Sequence, residues 1–284
     1  MVWDVNPVLW RSPIELNFIF FRWQPEIRYY GVLFAFGIFL AYTIAQRLYR
    51  RLNLSLKHLD GMLLYVLVGL ILGAHFVHLI FYEPESIWEN PVRIFQFGMG
   101  LASHGGGLGA IIGLLLYSRK HKISFYEYAD PIVVGAALTT SCIRIGNFFN
   151  SEILGKKADI PWGVYFPLAD PPPVPMRHPS QLYEAFIGLV LFVIMYYLFR
   201  RHAGKKVNGY FFYMFLFLYF TFRFFVEFFK DTQLDPTSIL YPLEKIMNMG
   251  QWLSLPIILF AAYQLWLAKE NFSRSKAQVP QKVR

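Results

Sequence analysis

Seven long apolar blocks govern what this chain can become. They cover residues 29–46, 59–82, 94–117, 124–148, 181–199, 209–228 and 248–268. A bilayer-spanning helix needs about 20 residues at a rise of about 1.5 Å each, and all seven blocks fit that requirement. Composition agrees, because 56% of the 284 residues are hydrophobic and only 16% are charged. A soluble domain carries about 25% charged residues. The expectation is an all-α integral membrane protein with seven transmembrane helices.

Loop charge sets the direction of threading. Arg47, Arg50, Arg51 and Lys57 follow the first block, Arg119, Lys120 and Lys122 the third, and Arg200, Arg201, Lys205 and Lys206 the fifth. None of these segments holds an acid. The tail carries Lys269, Arg274, Lys276, Lys282 and Arg284 against Glu270. Most of the 27 basic residues therefore lie on one side. The alternate loops carry Glu83, Glu85 and Glu89, then Asp231, Asp235 and Glu244, with few cations. Loops rich in Lys and Arg stay in the cytosol, so the N-terminus is expected outside and the C-terminus inside. The net charge of +9 is spread over short segments, which fits membrane orientation and excludes a nucleic-acid partner.

The first 26 residues lack a basic start, and Asp4, Arg11, Glu15 and Arg22 interrupt them, so they do not read as a cleavable signal. They are expected on the outer surface, with Trp3, Trp10, Phe18, Phe20, Phe21 and Trp23 among the headgroups. The longest connection, 149–180, contains the stiff run Asp170-Pro171-Pro172-Pro173-Val174-Pro175 and suggests a small extramembrane head on the outer side. The single cysteine, Cys142, excludes an internal disulfide and reads as a packing residue.

Ionisable groups inside apolar blocks demand an explanation, since each costs about 2.5–3.5 kcal/mol at the bilayer centre. The candidates are His75, His78, His104, Arg144, Asn147, Asn150, Glu152, Arg223 and Glu227. With the threading above, His104 lies about 15 Å along the third block, Arg144 about 30 Å along the fourth and Arg223 about 21 Å along the sixth. Tyr30 and Gln251 fall near the outer ends of the first and last blocks. Polar groups from several spans thus enter the outer half of the bilayer, which predicts an anion-binding cavity open toward that leaflet.

Plainer roles compete for several of these residues. Arg223 and Glu227, four apart, can pair along one helix face, and Arg144 near a helix end can snorkel to water. His75 and His78 suit packing or hydrogen bonding, and Glu127 and Asp130 suit the dipole of their own helix. Gly105, Gly109 and Gly113 form a ladder of small residues for close helix packing. Ser103-His104-Gly105-Gly106-Gly107 is glycine-rich enough to form an opened turn beside the histidine instead.

The stretch Arg144-Ile145-Gly146-Asn147-Phe148-Phe149-Asn150-Ser151-Glu152 resembles the signature of the bacterial prolipoprotein diacylglyceryl transferases, as does His104-Gly105-Gly106. Four further stretches match the family in order: Ile27-Arg28-Tyr29-Tyr30-Gly31, Arg177-His178-Pro179-Ser180-Gln181-Leu182-Tyr183-Glu184, Phe222-Arg223-Phe224-Phe225-Val226-Glu227-Phe228-Phe229 and Met249-Gly250-Gln251-Trp252-Leu253-Ser254-Leu255-Pro256. Ile143 stands where the family often has glycine, and Ser103 where an aromatic residue is common in some members.

This resemblance implies a transferase of lipoprotein maturation. Such an enzyme moves the diacylglyceryl group of phosphatidylglycerol to the lipobox cysteine thiol of a prolipoprotein, forming a thioether and releasing glycerol phosphate. Its implied partners are phosphatidylglycerol, the prolipoprotein signal peptide and membrane lipids, with no metal or organic cofactor. The implied location is the bacterial inner membrane, N-terminus periplasmic and C-terminus cytoplasmic. The chain then divides into an outer-surface segment 1–28, a catalytic domain 29–268 with a periplasmic head loop 149–180, and a basic cytoplasmic tail 269–284. The alternative is a transporter, in which buried Arg, His and Glu would line a solute path; the inner half of the blocks is poorer in such groups.

The chemistry sorts the candidates. A thiol with pKa about 8.5 must be deprotonated to attack, and the leaving phosphate needs fixed positive partners. His104 is the candidate base. Arg144 and Arg223 are the candidate phosphate clamps, with Glu227 orienting Arg223. Tyr30, Gly105, Gly106, Asn147, Asn150, Glu152 and Tyr219 are the candidate substrate-binding residues.

Overall fold

The protein is seen in a computed structural model that describes residues 1–17, 22–96, 102–202, 209–232, 241–244 and 246–277. Phe18, Phe20, Phe21, the side chain of Trp23, Lys205, Lys206, Asp235, Lys245 and the tail beyond 277 lie outside the described residues. Seven long helices follow one another: α1 (Tyr29–Arg51), α2 (Leu56–Phe81), α3 (Ser103–His121), α4 (Phe125–Phe149), α5 (Ser180–His202), α6 (Tyr210–Val226) and α7 (Met249–Ala277). Among the described residues, six of them are long and apolar enough to cross a membrane, and α3 is not in that set. Its 19 residues open on histidine and three consecutive glycines and close on Arg119, Lys120 and His121, which leaves a short apolar middle. The chain is a mostly helical, multi-pass membrane protein. Side chains such as Leu64, Val68, Phe76, Phe186, Val193 and Leu259 stand exposed on these helices, as lipid contact requires.

The third apolar block is not one helix. Residues Pro91–Phe95 form a 3-10 turn, and α3 begins only at Ser103. Asn90-Pro91 breaks the pattern, and a polar latch holds the break. Arg93, buried, donates from Nε to Glu83 Oε2 at 3.0 Å and from Nη1 to the Gln96 carbonyl at 3.0 Å. His78 Nε2 meets Glu83 Oε1 at 3.0 Å and His75 Nε2 meets the Ile94 carbonyl at 2.9 Å, so both histidines serve hydrogen bonding.

The chain forms two compact units. One comprises Met1–Thr43, Gly135–Val193 and Phe228–Asp231; the other comprises Ile44–Val134, Ile194–Glu227 and Thr232–Arg284.

In the second unit the glycine ladder packs α2 against α3. A Cβ built at Gly105 would strike the Gly73 carbonyl oxygen, one at Gly109 that of Gly69, and one at Gly113 that of Tyr65. Each step of four along α2 is thus matched by a step of four back along α3, an antiparallel register readable residue by residue. Of the two readings of Ser103–Gly107, close packing is the one seen; these residues form the first turn of α3 and no opened turn. Tight packing against α2, together with the bond from Ala102 N–H to the Ala74 carbonyl at 3.0 Å, offsets the glycines' entropic cost. Gly109→Ala should cost about 1–3 kcal/mol through overpacking. Thermal unfolding in detergent should show the lower midpoint, and an unchanged midpoint would refute this packing.

Asp130 departs from its expected role. It lies on α4, but its carboxylate accepts from Gly209 N–H at 2.9 Å and Phe212 N–H at 2.8 Å, which caps the N-terminus of α6.

In the first unit, α1 and α4 pack with the same antiparallel logic. Gly146 accommodates the Tyr30 ring, Gly37 faces Cys142, and Gly135 faces Ala41. Cys142 is buried there as a packing residue. Ser141 Oγ donates to the Ala185 carbonyl at 2.9 Å, and a Cβ at Gly188 would strike Ser141 Oγ, so α5 closes on α4. Trp3 is not in a surface belt. Its ring lies 4.4 Å from Phe148 and 5.2 Å from Phe149, within the cluster of Phe148, Val164 and Phe166. Trp10 is exposed.

Segment 149–180 carries the short antiparallel pair Val164–Tyr165 and Met176–Arg177. Arg177 clamps it, donating to both oxygens of Asp170 at 2.7 Å, to Asp231 at 2.6 Å and to the Gly155 carbonyl at 3.0 Å. The hydrogen bonds to Asp170, and then those to Asp231, hold this guanidinium above its ordinary pKa.

Candidate active site

Apart from His75 and His78, which bond at the Arg93 latch, the sequence-picked polar residues fall into two clusters, one in each unit. The first is built on the end of α4. Arg144, only 3% exposed, donates from Nη1 to Asn147 Oδ1 at 3.1 Å and pairs through Nε with Glu184 Oε2 at 3.2 Å. It does not snorkel to water. Its Nη2 is enclosed and has no partner. Asn147 in turn donates to Glu152 Oε1 at 2.6 Å, and Asn150 donates to the same oxygen at 3.3 Å.

Backbone geometry fixes Glu152. Ser151 (φ 53°) and Ile153 (φ 56°) flank it in the left-handed region. For a β-branched residue such as Ile153 this is strained by about 1–3 kcal/mol and persists only where the surroundings over-determine it. The turn lets Glu152 N–H bond the Asn147 carbonyl at 3.1 Å while its own carbonyl accepts from Gln181 Nε2 at 2.8 Å. Tyr30 packs against Gly146, two residues beyond Arg144.

Three members were not singled out from sequence: Gln181, Glu184 and Lys230. Glu184, on the first turns of α5, receives both Arg144 and the fully buried Lys230, whose Nζ lies 3.7 Å away. A buried arginine needs such a partner, because an uncompensated charge there costs several kcal/mol (~3–5). The match to Gln181-Leu182-Tyr183-Glu184 was the available signal, but no spacing rule links Glu184 to a residue forty positions earlier.

The second cluster joins α3, α6 and α7. Arg223 Nη2 pairs with Glu227 Oε1 at 3.0 Å, as the four-residue spacing anticipated. Its Nε also points at His104 Nε2, 3.3 Å away. A guanidinium cannot accept, so Nε2 takes this bond only when it carries no proton. Ser254 Oγ lies 3.2 Å from the same nitrogen and 2.6 Å from the Gly250 carbonyl. Asn248 Nδ2 donates to the Glu227 carbonyl at 2.8 Å, and Gln251 Nε2 donates to the Phe224 carbonyl at 3.3 Å. A Cβ at Gly250 would strike the Glu227 carboxylate.

Phe220 stacks on His104 at 5.6 Å. Tyr219 lies beyond it, against Phe215 and Phe220. Gly105 and Gly106 face α2, so they seat α3 and thereby position His104.

A multi-pass membrane protein holding buried, carboxylate-braced arginines, one of them beside a histidine, has fixed donors for an anion in a low-dielectric setting. The chain belongs to the prolipoprotein diacylglyceryl transferase family, whose pattern it matches over residues 18–267. It is similar to proteins named phosphatidylglycerol–prolipoprotein diacylglyceryl transferase. That of Bacteroides fragilis is 39% identical over 274 residues, covering 92% of each chain. That of Tolumonas auensis is 38% identical over 276 residues, covering 96% of this chain and all of the relative. That of Idiomarina loihiensis is 35% identical over 267 residues, covering 92% of this chain and 96% of the relative.

Proposed function

We propose that this protein transfers the diacylglyceryl group of phosphatidylglycerol to the lipobox cysteine of prolipoproteins, in the inner membrane of a bacterium. Family membership supports the reaction. The observation that carries its residue assignment is the enclosed, unpartnered Nη2 of Arg144, a donor held ready by Glu184 and Asn147.

In the reaction a sulfur–carbon bond forms at the glycerol carbon, and the bond from that carbon to the phosphate oxygen breaks. The electron pair leaves with glycerol phosphate, and the thiol proton goes to a base. Arg144 meets the developing charge on the leaving phosphate, and Arg223, in its own cluster, is the guanidinium that answers to an anion beside His104. His104 is the base. Its Nε2 lone pair is engaged by Arg223, so it becomes basic toward a thiol only when an anion draws that guanidinium away. Anion binding at Arg223 and base activation at His104 are thereby coupled. Tyr30, Asn147, Asn150, Glu152, Tyr219 and Glu227 hold or orient the headgroup and the arginines.

The proposal extends to topology. Helix α3 serves as a seventh span, segment 149–180 forms a periplasmic head, and tail 269–284 is cytoplasmic, in keeping with the basic loops. Release of glycerol phosphate from phosphatidylglycerol tests the chemistry. It should require both the purified protein and a cysteine-bearing lipobox peptide. Release without peptide would mean a lipase and overturn the proposal.

A further inference from the structure

The transferase reading leaves open how the headgroup glycerol is told from other headgroups. Around Glu152 the first cluster holds two side-chain amides whose orientation is fixed. Gln181 Nε2 donates to the Glu152 main-chain carbonyl at 2.8 Å, and a carbonyl can only accept. Asn150 Nδ2 donates to the Glu152 carboxylate at 3.3 Å, which likewise accepts. Neither amide can flip without losing its bond. Each therefore presents an oxygen as an acceptor, and both oxygens, Gln181 Oε1 and Asn150 Oδ1, are enclosed and without a donor. Gln181 is 0% exposed. Buried acceptors of this kind are costly to leave unmet.

The same bond network holds an enclosed cationic donor, Arg144 Nη2, and the hydroxyl of Ser151 beside Glu152 is likewise enclosed without a partner. Arg144 is linked through Asn147 to the Glu152 oxygen that Asn150 also uses. An orphan cationic donor for an anion and two orphan acceptors for hydroxyls are the complement of a phosphoglycerol group. The phosphate of such a group accepts, and its vicinal hydroxyls donate. An ammonium headgroup also donates, but from a single nitrogen and not from two vicinal oxygens.

We propose that Gln181 and Asn150, oriented by Glu152, form a diol-recognising subsite that selects the glycerol headgroup of the donor lipid. This rests on the transferase reading, and it gives the strained turn at Ser151–Ile153 a purpose. That turn aims the Glu152 carbonyl at Gln181, so one residue sets both acceptors.

The test compares phosphatidylglycerol with phosphatidylpropanol of the same acyl chains, which lacks both headgroup hydroxyls. Thioether formation on a lipobox peptide gives kcat/KM for each lipid. Wild type should prefer phosphatidylglycerol by about 100-fold, because the analogue leaves two buried acceptors unmet. Gln181→Met should cut that ratio by about tenfold or more, and Asn150→Ala should do likewise. Equal use of both lipids by wild type would overturn the subsite. So would a Gln181→Met variant that slows both lipids while keeping the ratio, which marks a structural role.

Lipid-induced thermal stabilisation of the purified protein gives an activity-independent reading. Phosphatidylglycerol should raise the Tm of wild type more than phosphatidylpropanol does, and in Gln181→Met the two shifts should match. Wild type that transfers from neither lipid would sink the transferase reading, and the Tm comparison would then decide the subsite alone.

Discussion

Arg144→Lys should lower diacylglyceryl transfer by about 100- to 1,000-fold, the range seen when one preorganised oxyanion donor is lost, with the fold retained. Arg144 engages Glu184 through Nε and Asn147 through Nη1, and this leaves Nη2 for substrate. The planar fork makes three directions available at once. A lysine ammonium is a single point on a flexible stem and cannot fill them together. Because Lys keeps the positive charge, Glu184 retains a cation and Lys230 is undisturbed. The loss should therefore appear in kcat with phosphatidylglycerol and not in the unfolding midpoint. A variant within a few-fold of wild type would show that charge alone suffices.

His104→Gln should reduce transfer by about 100-fold or more at neutral pH, as removal of a general base does. Glutamine is chosen because its oxygen can accept from Arg223 Nε, as His104 Nε2 does now, while offering no base. Below the thiol pKa of about 8.5 the thiolate fraction rises about tenfold per pH unit. The variant's rate should climb with that slope from pH 6.5 to 8.5, while wild type, with its own base, should be flatter. The deficit thus shrinks as pH rises. A deficit constant across this range would mean that His104 only positions Arg223.

Much of the architecture was legible because bilayer constraints act on single residues and their spacing. Apolar length located the helices. The glycines at 105, 109 and 113 announced a close helix contact, and the structure supplied the partner positions 73, 69 and 65. The four-residue spacing of Arg223 and Glu227 predicted their pair.

What was not legible depended on distant partners. Neither Glu184 nor Lys230 has a local relation to Arg144, so the brace on that arginine needed the fold. Asp130 reads as a helix-start acid, and only the fold reveals that the helix it caps is α6. That the third block opens in the 3-10 turn Pro91–Phe95 was hidden by its apolar residues; the latch of Arg93, Glu83 and His78 holds that turn. Glycine-rich Ser103–Gly107 left packing and an opened turn both open, because propensity counts the chain's entropy and not the neighbour it can approach.

The most direct test of the central claim is the mass of a lipobox peptide after incubation with purified protein and phosphatidylglycerol in detergent. The cysteine should gain one diacylglyceryl group, located by fragmentation. The gain should be absent with Arg144→Ala and with a serine-substituted peptide. An unmodified cysteine peptide, with wild-type protein shown to be folded, would contradict the account and point instead to a solute path through the helices.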